Sequence, residues 1–111
     1  MPPVTEFIRG GGACIVSVNV LSGASPLKWA NREEPLGGPD NGWRFLSMID
    51  DDEFLSDPDN LQVADINRVI EIEPAILAIY LMPVGTDVQL VTEPGGAISI
   101  YDNHTGRKLD V

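Results

Sequence analysis

Nine carboxylates, Asp50, Asp51, Asp52, Glu53, Asp57, Asp59, Asp65, Glu71 and Glu73, fall within 24 residues that hold a single base, Arg68. They are more than half of the chain's 17 acidic side chains. Such a run can do three kinds of chemistry. It can dock a cationic partner, because carboxylates form charge-assisted hydrogen bonds with Arg and Lys. It can gather oxygens around a hard cation. It can do acid/base work if two carboxylates converge and their pKa values split. The first is the favoured reading, with Asp50, Asp51, Asp52, Glu53, Asp57 and Asp59 as the contact surface. Phe54 is its candidate aromatic anchor, since the energetic centre of an interface is usually aromatic or Arg. A merely solvated acidic face is the competing reading. Reversing Asp50, Asp51 and Asp52 to Lys is expected to leave the fold intact and to slow binding to a basic partner.

The other chemistries meet specific obstacles. Asp57-Pro58-Asp59-Asn60 resembles the start of a calcium loop, but position six lacks Gly and position twelve is Arg68 where Glu is needed. Glu33 and Glu34 are adjacent, so on a strand they point to opposite faces and share no site. A structural pair between one of these glutamates, Glu33 or Glu34, and Arg44 on a neighbouring strand is expected instead. Ser17, Ser47 and Cys14 need a nearby base to act as nucleophiles, and the one histidine, His104, sits in an Asn-His-Thr-Gly turn. One His and one Cys cannot close a zinc site. Gly10-Gly11-Gly12 lacks the following Lys-Ser/Thr and helix of a phosphate loop. No catalytic residue, metal or cofactor is therefore expected, and the chain is read as a binding protein.

Bulk composition agrees. The chain has 111 residues and a net charge of −10. An acidic surface is repelled by phosphate backbones and anionic lipid, so nucleic acid and membranes are not expected partners, whereas a basic protein would be attracted. No apolar run approaches the roughly 20 residues that span a bilayer. The first residues lack a secretory signal pattern, so a cytoplasmic location is expected. Cys14 is the only cysteine, which excludes an internal disulfide. The length suits a single domain over residues 1–111.

The elements that must position the acidic run follow from periodicity. Residues 13–20 alternate Cys14, Val16, Val18 and Val20 on one face, which predicts a strand with an inert, core-facing thiol. Residues 27–31 predict a second strand, hairpinned to the first. Residues 43–48 predict a third with two apolar faces, as expected of a central strand covered on both sides. Trp43 and Phe45 are read as core. Residues 49–60 read as an acidic loop pinned by Phe54 and Leu55. Asp65 can cap a helix that buries Ile66, Val69 and Ile70. Pro74 suits the first turn of a second helix over residues 74–81, burying Ile76, Leu77, Tyr80 and Leu81. Residues 87–91 and 97–101 predict two further strands. The expected fold is α+β: a mostly antiparallel sheet of about five strands with two short consecutive helices on one face.

Five pieces occur in a fixed order: Cys14-Ile15-Val16-Ser17, Arg32-Glu33-Glu34-Pro35, Gly42-Trp43-Arg44-Phe45, Asp57-Pro58-Asp59-Asn60 and Pro83-Val84-Gly85. In that order and spacing the chain resembles the bacterial immunity-protein-33-like domain family across residues 13–91. Met48-Ile49 stands where that family usually has Gly-Asp, and residues 92–111 form a C-terminal β-hairpin extension beyond the recognisable part. The resemblance implies neutralisation of a partner toxin from a polymorphic toxin system. Together with the charge it implies a basic toxin as partner. The alternatives are a structural or regulatory binding domain without a toxin partner, and a small metal-binding domain using the acidic loop.

Overall fold

A computed structural model describes residues 6–110. Six strands, β1 (Ala13–Ser17), β2 (Leu27–Arg32), β3 (Asp40–Ser47), β4 (Leu61–Asp65), β5 (Asp87–Thr92) and β6 (Ile98–Asp102), form one sheet in the order β4-β1-β3-β2-β5-β6. Three short helices, α1 (Val18–Ser22), α2 (Asp52–Leu55) and α3 (Ile66–Ile72), and 3-10 turns at Pro58–Asn60 and Pro74–Ala78 complete it. The α+β expectation holds. The sheet is mixed, because β1 and β3 run parallel while every other pair is antiparallel.

The expected hairpin between the first two strands does not form, since β3 inserts between them. The connection between them is not the tight turn that a hairpin needs but the helical turn α1, which leaves room for β3 between β1 and β2. The first strand also ends early. Ser17 caps α1 by accepting from Asn19 N at 3.2 Å, and Gly23, at φ +79°, closes it. The valine alternation thus continues into a helical turn that buries Val20. This turn carries the chain past the end of β3 toward β2.

One face of the sheet holds the core. Val16, Ala30, Phe45, Val88 and Ile100 from the strands meet Ile66, Val69 and Ile70 of α3, all at most 4% exposed. Trp43 and Phe45 stack with ring centroids 5.7 Å apart. The Trp43 indole N–H, which needs a partner once buried, donates to the Tyr80 carbonyl at 3.1 Å. Arg32 lies over the same ring and donates to the Met82 carbonyl at 2.7 Å, fixing the segment after α3. That segment is a 3-10 turn rather than the expected helix. Its three-residue period buries Ile76 and Ile79, while Leu77 and Leu81 are exposed and Tyr80 is half-buried.

The second face differs from the expectation of a covered strand. Arg44 and Leu46 of β3 border an open groove there, which α2 flanks only through Leu55.

Candidate functional site

The acidic run begins where β3 ends. Asp50 folds back to accept from Ser47 N and from Asn19 Nδ2, both at 2.7 Å. Its burial works against ionisation. The hydrogen bonds from Ser17, from the Ser47 backbone and from Asn19 outweigh it and hold the carboxyl below its ordinary value. Asp51 is the N-cap of α2 and accepts from Phe54 N at 2.8 Å. Asp52 and Glu53 occupy the first turn, where negative charge suits the exposed N–H groups. Asp57 caps the next 3-10 turn through Asp59 N at 2.9 Å, and Asn60 ties that turn to the Phe54 carbonyl at 2.8 Å. Asp65 caps α3 and Glu73 caps the turn after it. Residues 49–60, read as a loop, therefore contain a helix and a 3-10 turn, each begun by one of their own carboxylates, and the strand β4 follows them.

Those caps use carboxylate lone pairs but neutralise no charge. Asp51, Asp52, Glu53, Asp57 and Asp59 are all exposed, whereas Phe54 and Leu55 are half-buried. Among the described residues the ion pairs are Arg9–Glu6, Arg44–Glu33 and Arg44–Asp40, and none reaches residues 50–65. The expectation that Asp50, Asp51 and Asp52 can all be reversed without harm to the fold needs revision. Asp50 and Asp51 hold backbone groups that a lysine cannot satisfy; Asp52, Glu53 and Asp59 make no side-chain bond.

Beside α2 lies the groove on the open face, about 330 Å³, lined by Ile15, Leu36, Leu46, Leu55, Leu61 and Arg44. It continues toward Val63, which is 74% exposed. Arg44 is 8% exposed at its floor. Its guanidinium grips both oxygens of Asp40 at 2.9 Å and reaches Glu33 at 3.2 Å, so the expected Glu–Arg pair is present, with Glu33 and not Glu34 as its acid. Asp40, the stronger partner, escaped sequence reading. It also accepts from Leu36 N at 2.8 Å and Gly42 N at 3.0 Å, which ties the Leu36 loop to the start of β3. Hydrogen bonds from Arg44 hold the Asp40 carboxyl well below the usual carboxylate range, and Asp40 in turn raises the Arg44 pKa. Gly42 has φ +89°, and a Cβ there would collide with the Glu33 carbonyl oxygen. The Gly-Pro-Asp-Asn-Gly string was the available signal for this junction.

The remaining chemical candidates are accounted for individually. Cys14 is 1% exposed and burial pushes its thiol up to about 12, which suits an inert core residue. His104 is exposed, with Nε2 3.2 Å from the Gly85 carbonyl oxygen. Among the described residues no group of three His, Cys, Asp or Glu side chains converges as a metal-ligand set, and no helix is long and apolar enough to cross a membrane.

No curated protein and no solved structure matches the chain. The model of the immunity protein Imm33 domain does match, over residues 14–100, which takes in β2 to β5 whole, most of β1, the first residues of β6, the acidic run and the Arg44 junction. The chain belongs to the Imm33 immunity protein domain family.

Proposed function

We propose that this chain is an immunity-type protein that neutralises a toxin of a bacterial polymorphic toxin system by binding it and covering a basic surface, acting in the cytoplasm and without catalysis. The observation that carries this reading is the unpaired acidic segment. From residue 50 to residue 65 the sequence places seven carboxylates and no Lys or Arg, and none of the seven forms an ion pair among the described residues. Like charges held together repel one another and weaken the compact state, so a cation brought by a partner relieves a standing cost. Asp52, Glu53 and Asp59 project without structural duties. Asp51 and Asp57 add charge while capping. Asp50 positions the segment, and Phe54 supplies apolar area beside it. Family membership supports a toxin protein as the class of partner, and the unpaired charge favours a basic one.

The test is growth rescue. A toxin gene is expected beside this chain's own gene, and cells expressing that toxin are expected to recover when the wild-type chain is co-expressed. Rescue should weaken with Asp52→Lys, Glu53→Lys and Asp59→Lys combined, a variant that retains the fold. Full rescue by that folded triple variant would refute the acidic segment as contact surface.

A further inference from the structure

The sheet has two edges, and they are treated differently. The β6 edge is closed by the chain's own tail: Asp102 N donates to the Arg107 carbonyl at 2.8 Å, Leu109 N donates to the Ile100 carbonyl at 2.7 Å, and Tyr101 bridges to Lys108. No described strand pairs with the outer side of β4, where the Pro58 carbonyl of the preceding turn takes only the Leu61 N–H. The direction of its backbone groups can be worked out. Ala13 N donates to Pro39 on the β3 side of β1, while the Gly12 carbonyl accepts from Ile66 N on the β4 side. Backbone groups alternate sides along a strand, so Cys14 and Val16 turn theirs toward their partners Ala64 and Gln62. Val63, between those two, therefore points its N–H and C=O away from the sheet.

Natural edges are usually protected by Lys, Pro, a bulge or a cover. Leu61-Gln62-Val63-Ala64 has none of these devices. Its side-chain pattern is inviting as well. Val63 pairs with Ile15, whose side chain lines the apolar groove together with Leu36 and Leu61. Asp57 and Asp59 precede the strand, Asp65 ends it, and no base lies between them.

We propose that the toxin docks by strand addition: an extended segment of it pairs with the outer edge of β4, seats alternate apolar side chains against Val63, Ile15 and Leu36, and places flanking Lys or Arg opposite Asp57, Asp59 and Asp65. This rests on the toxin-binding function proposed above and names how that partner is held. Strand addition takes affinity from main-chain hydrogen bonds and specificity from pockets for alternate side chains, and this edge offers both. Charge selects the occupant. A second copy of the chain, itself at −10, would bring Asp57 and Asp59 against Asp65 across the new pair, whereas a cationic segment meets opposite charge at both ends.

The experiment uses the full chain and the purified toxin encoded beside its gene. Val63→Pro removes an outward N–H and no bond to β1, a position where an edge strand tolerates proline. Val63→Lys keeps the backbone and sets a positive charge against the cationic segment. Val84→Lys, at a 43% exposed site away from β4, is the control. Each Val63 variant is expected to weaken toxin binding roughly ten- to a hundredfold, the difference made by one or two lost interactions. Val84→Lys should bind as wild type, and amide exchange at Val63 should slow by a similar factor in the wild-type complex. If Val63→Pro fails to fold, Val63→Lys and the wild-type amide decide. Wild-type binding and rescue with both Val63 variants unaffected, and a Val63 amide that stays fast, would overturn strand addition while leaving the toxin-binding function in place. A wild-type chain that neither binds nor rescues would overturn that function and this inference with it. A dimer of the chain alone, with Val63 already protected, would assign the edge to a second copy and overturn the inference too.

Discussion

Asp40 and Asp52 are the same side chain in opposite circumstances. Asp40 accepts four hydrogen bonds, two of them from Arg44, and its side chain is 14% exposed. Asp52 stands in the first turn of α2, exposed and without an ionic partner among the described residues. The first is part of the fold: it holds the Leu36 loop, the Gly42 junction and the buried guanidinium in one arrangement. The second contributes little to the fold and is available for recognition. What separates the two regions is the location of the cation. At the Arg44 junction the chain supplies its own. Along residues 50–65 it supplies none. Acidic residues therefore report function here only after their internal partners have been subtracted.

That contrast can be broken from the structural side first. Arg44→Ala leaves Asp40 half-buried without its ion and deepens the groove floor. Removing one partner of a buried pair costs about 3–5 kcal/mol, so the midpoint of urea unfolding should fall sharply while the β4 edge keeps its sequence. A loss below about 1 kcal/mol would mean that solvent, and not Asp40, stabilises Arg44.

Acid sharpens the contrast next. Asp40 has a lowered native pKa, so its stabilisation is fully present above the unfolded value of about 4 and is lost as the pH falls through the depressed native value. Asp40→Asn should be less stable than wild type at neutral pH. Its stability should also fall less steeply as the pH drops below about 4, because the mutated position no longer titrates. Parallel stability profiles for the two proteins over that range would count against the assignment.

The smallest effect separates cap from charge within the acidic segment. Asn caps a helix about as well as Asp, while Ala does not. Asp51→Ala should cost about 1 kcal/mol and Asp51→Asn only a few tenths, yet both remove the same charge from the binding surface. Equal stability losses would show that the α2 cap matters less than its 2.8 Å bond to Phe54 N suggests.

Much of this was legible in the residues. Alternation located β2, β3, β5 and β6, and the spacing of Ile66, Val69 and Ile70 located α3 and its buried face. The charges of Glu33, Glu34 and Arg44 announced a Glu–Arg pair, and the structure selects Glu33. The features that stayed hidden share a cause. Strand β4 is five residues long and lies between two caps, too short for a period to stand out from the acids around it. The parallel β1–β3 pairing depends on which strand best fills the centre of the sheet, which neighbours in sequence do not reveal. The Asp40–Arg44 grip spans four residues of one strand and exists because the chain bends at Gly42, a three-dimensional fact that charge spacing does not encode. In the acidic segment, charge was visible and duty was not: Asp51 and Asp52 are indistinguishable until the hydrogen bond from Phe54 marks one of them as a cap.

The most direct measurement is the association rate of toxin with wild-type chain and with the Asp52→Lys, Glu53→Lys, Asp59→Lys variant, followed by stopped flow across a range of ionic strength. Electrostatic steering predicts that the variant associates about tenfold or more slowly at low salt, and that the two rates converge as salt screens the surface. Rates that coincide at low salt would contradict the account, since the unpaired carboxylates would then have no part in meeting the partner.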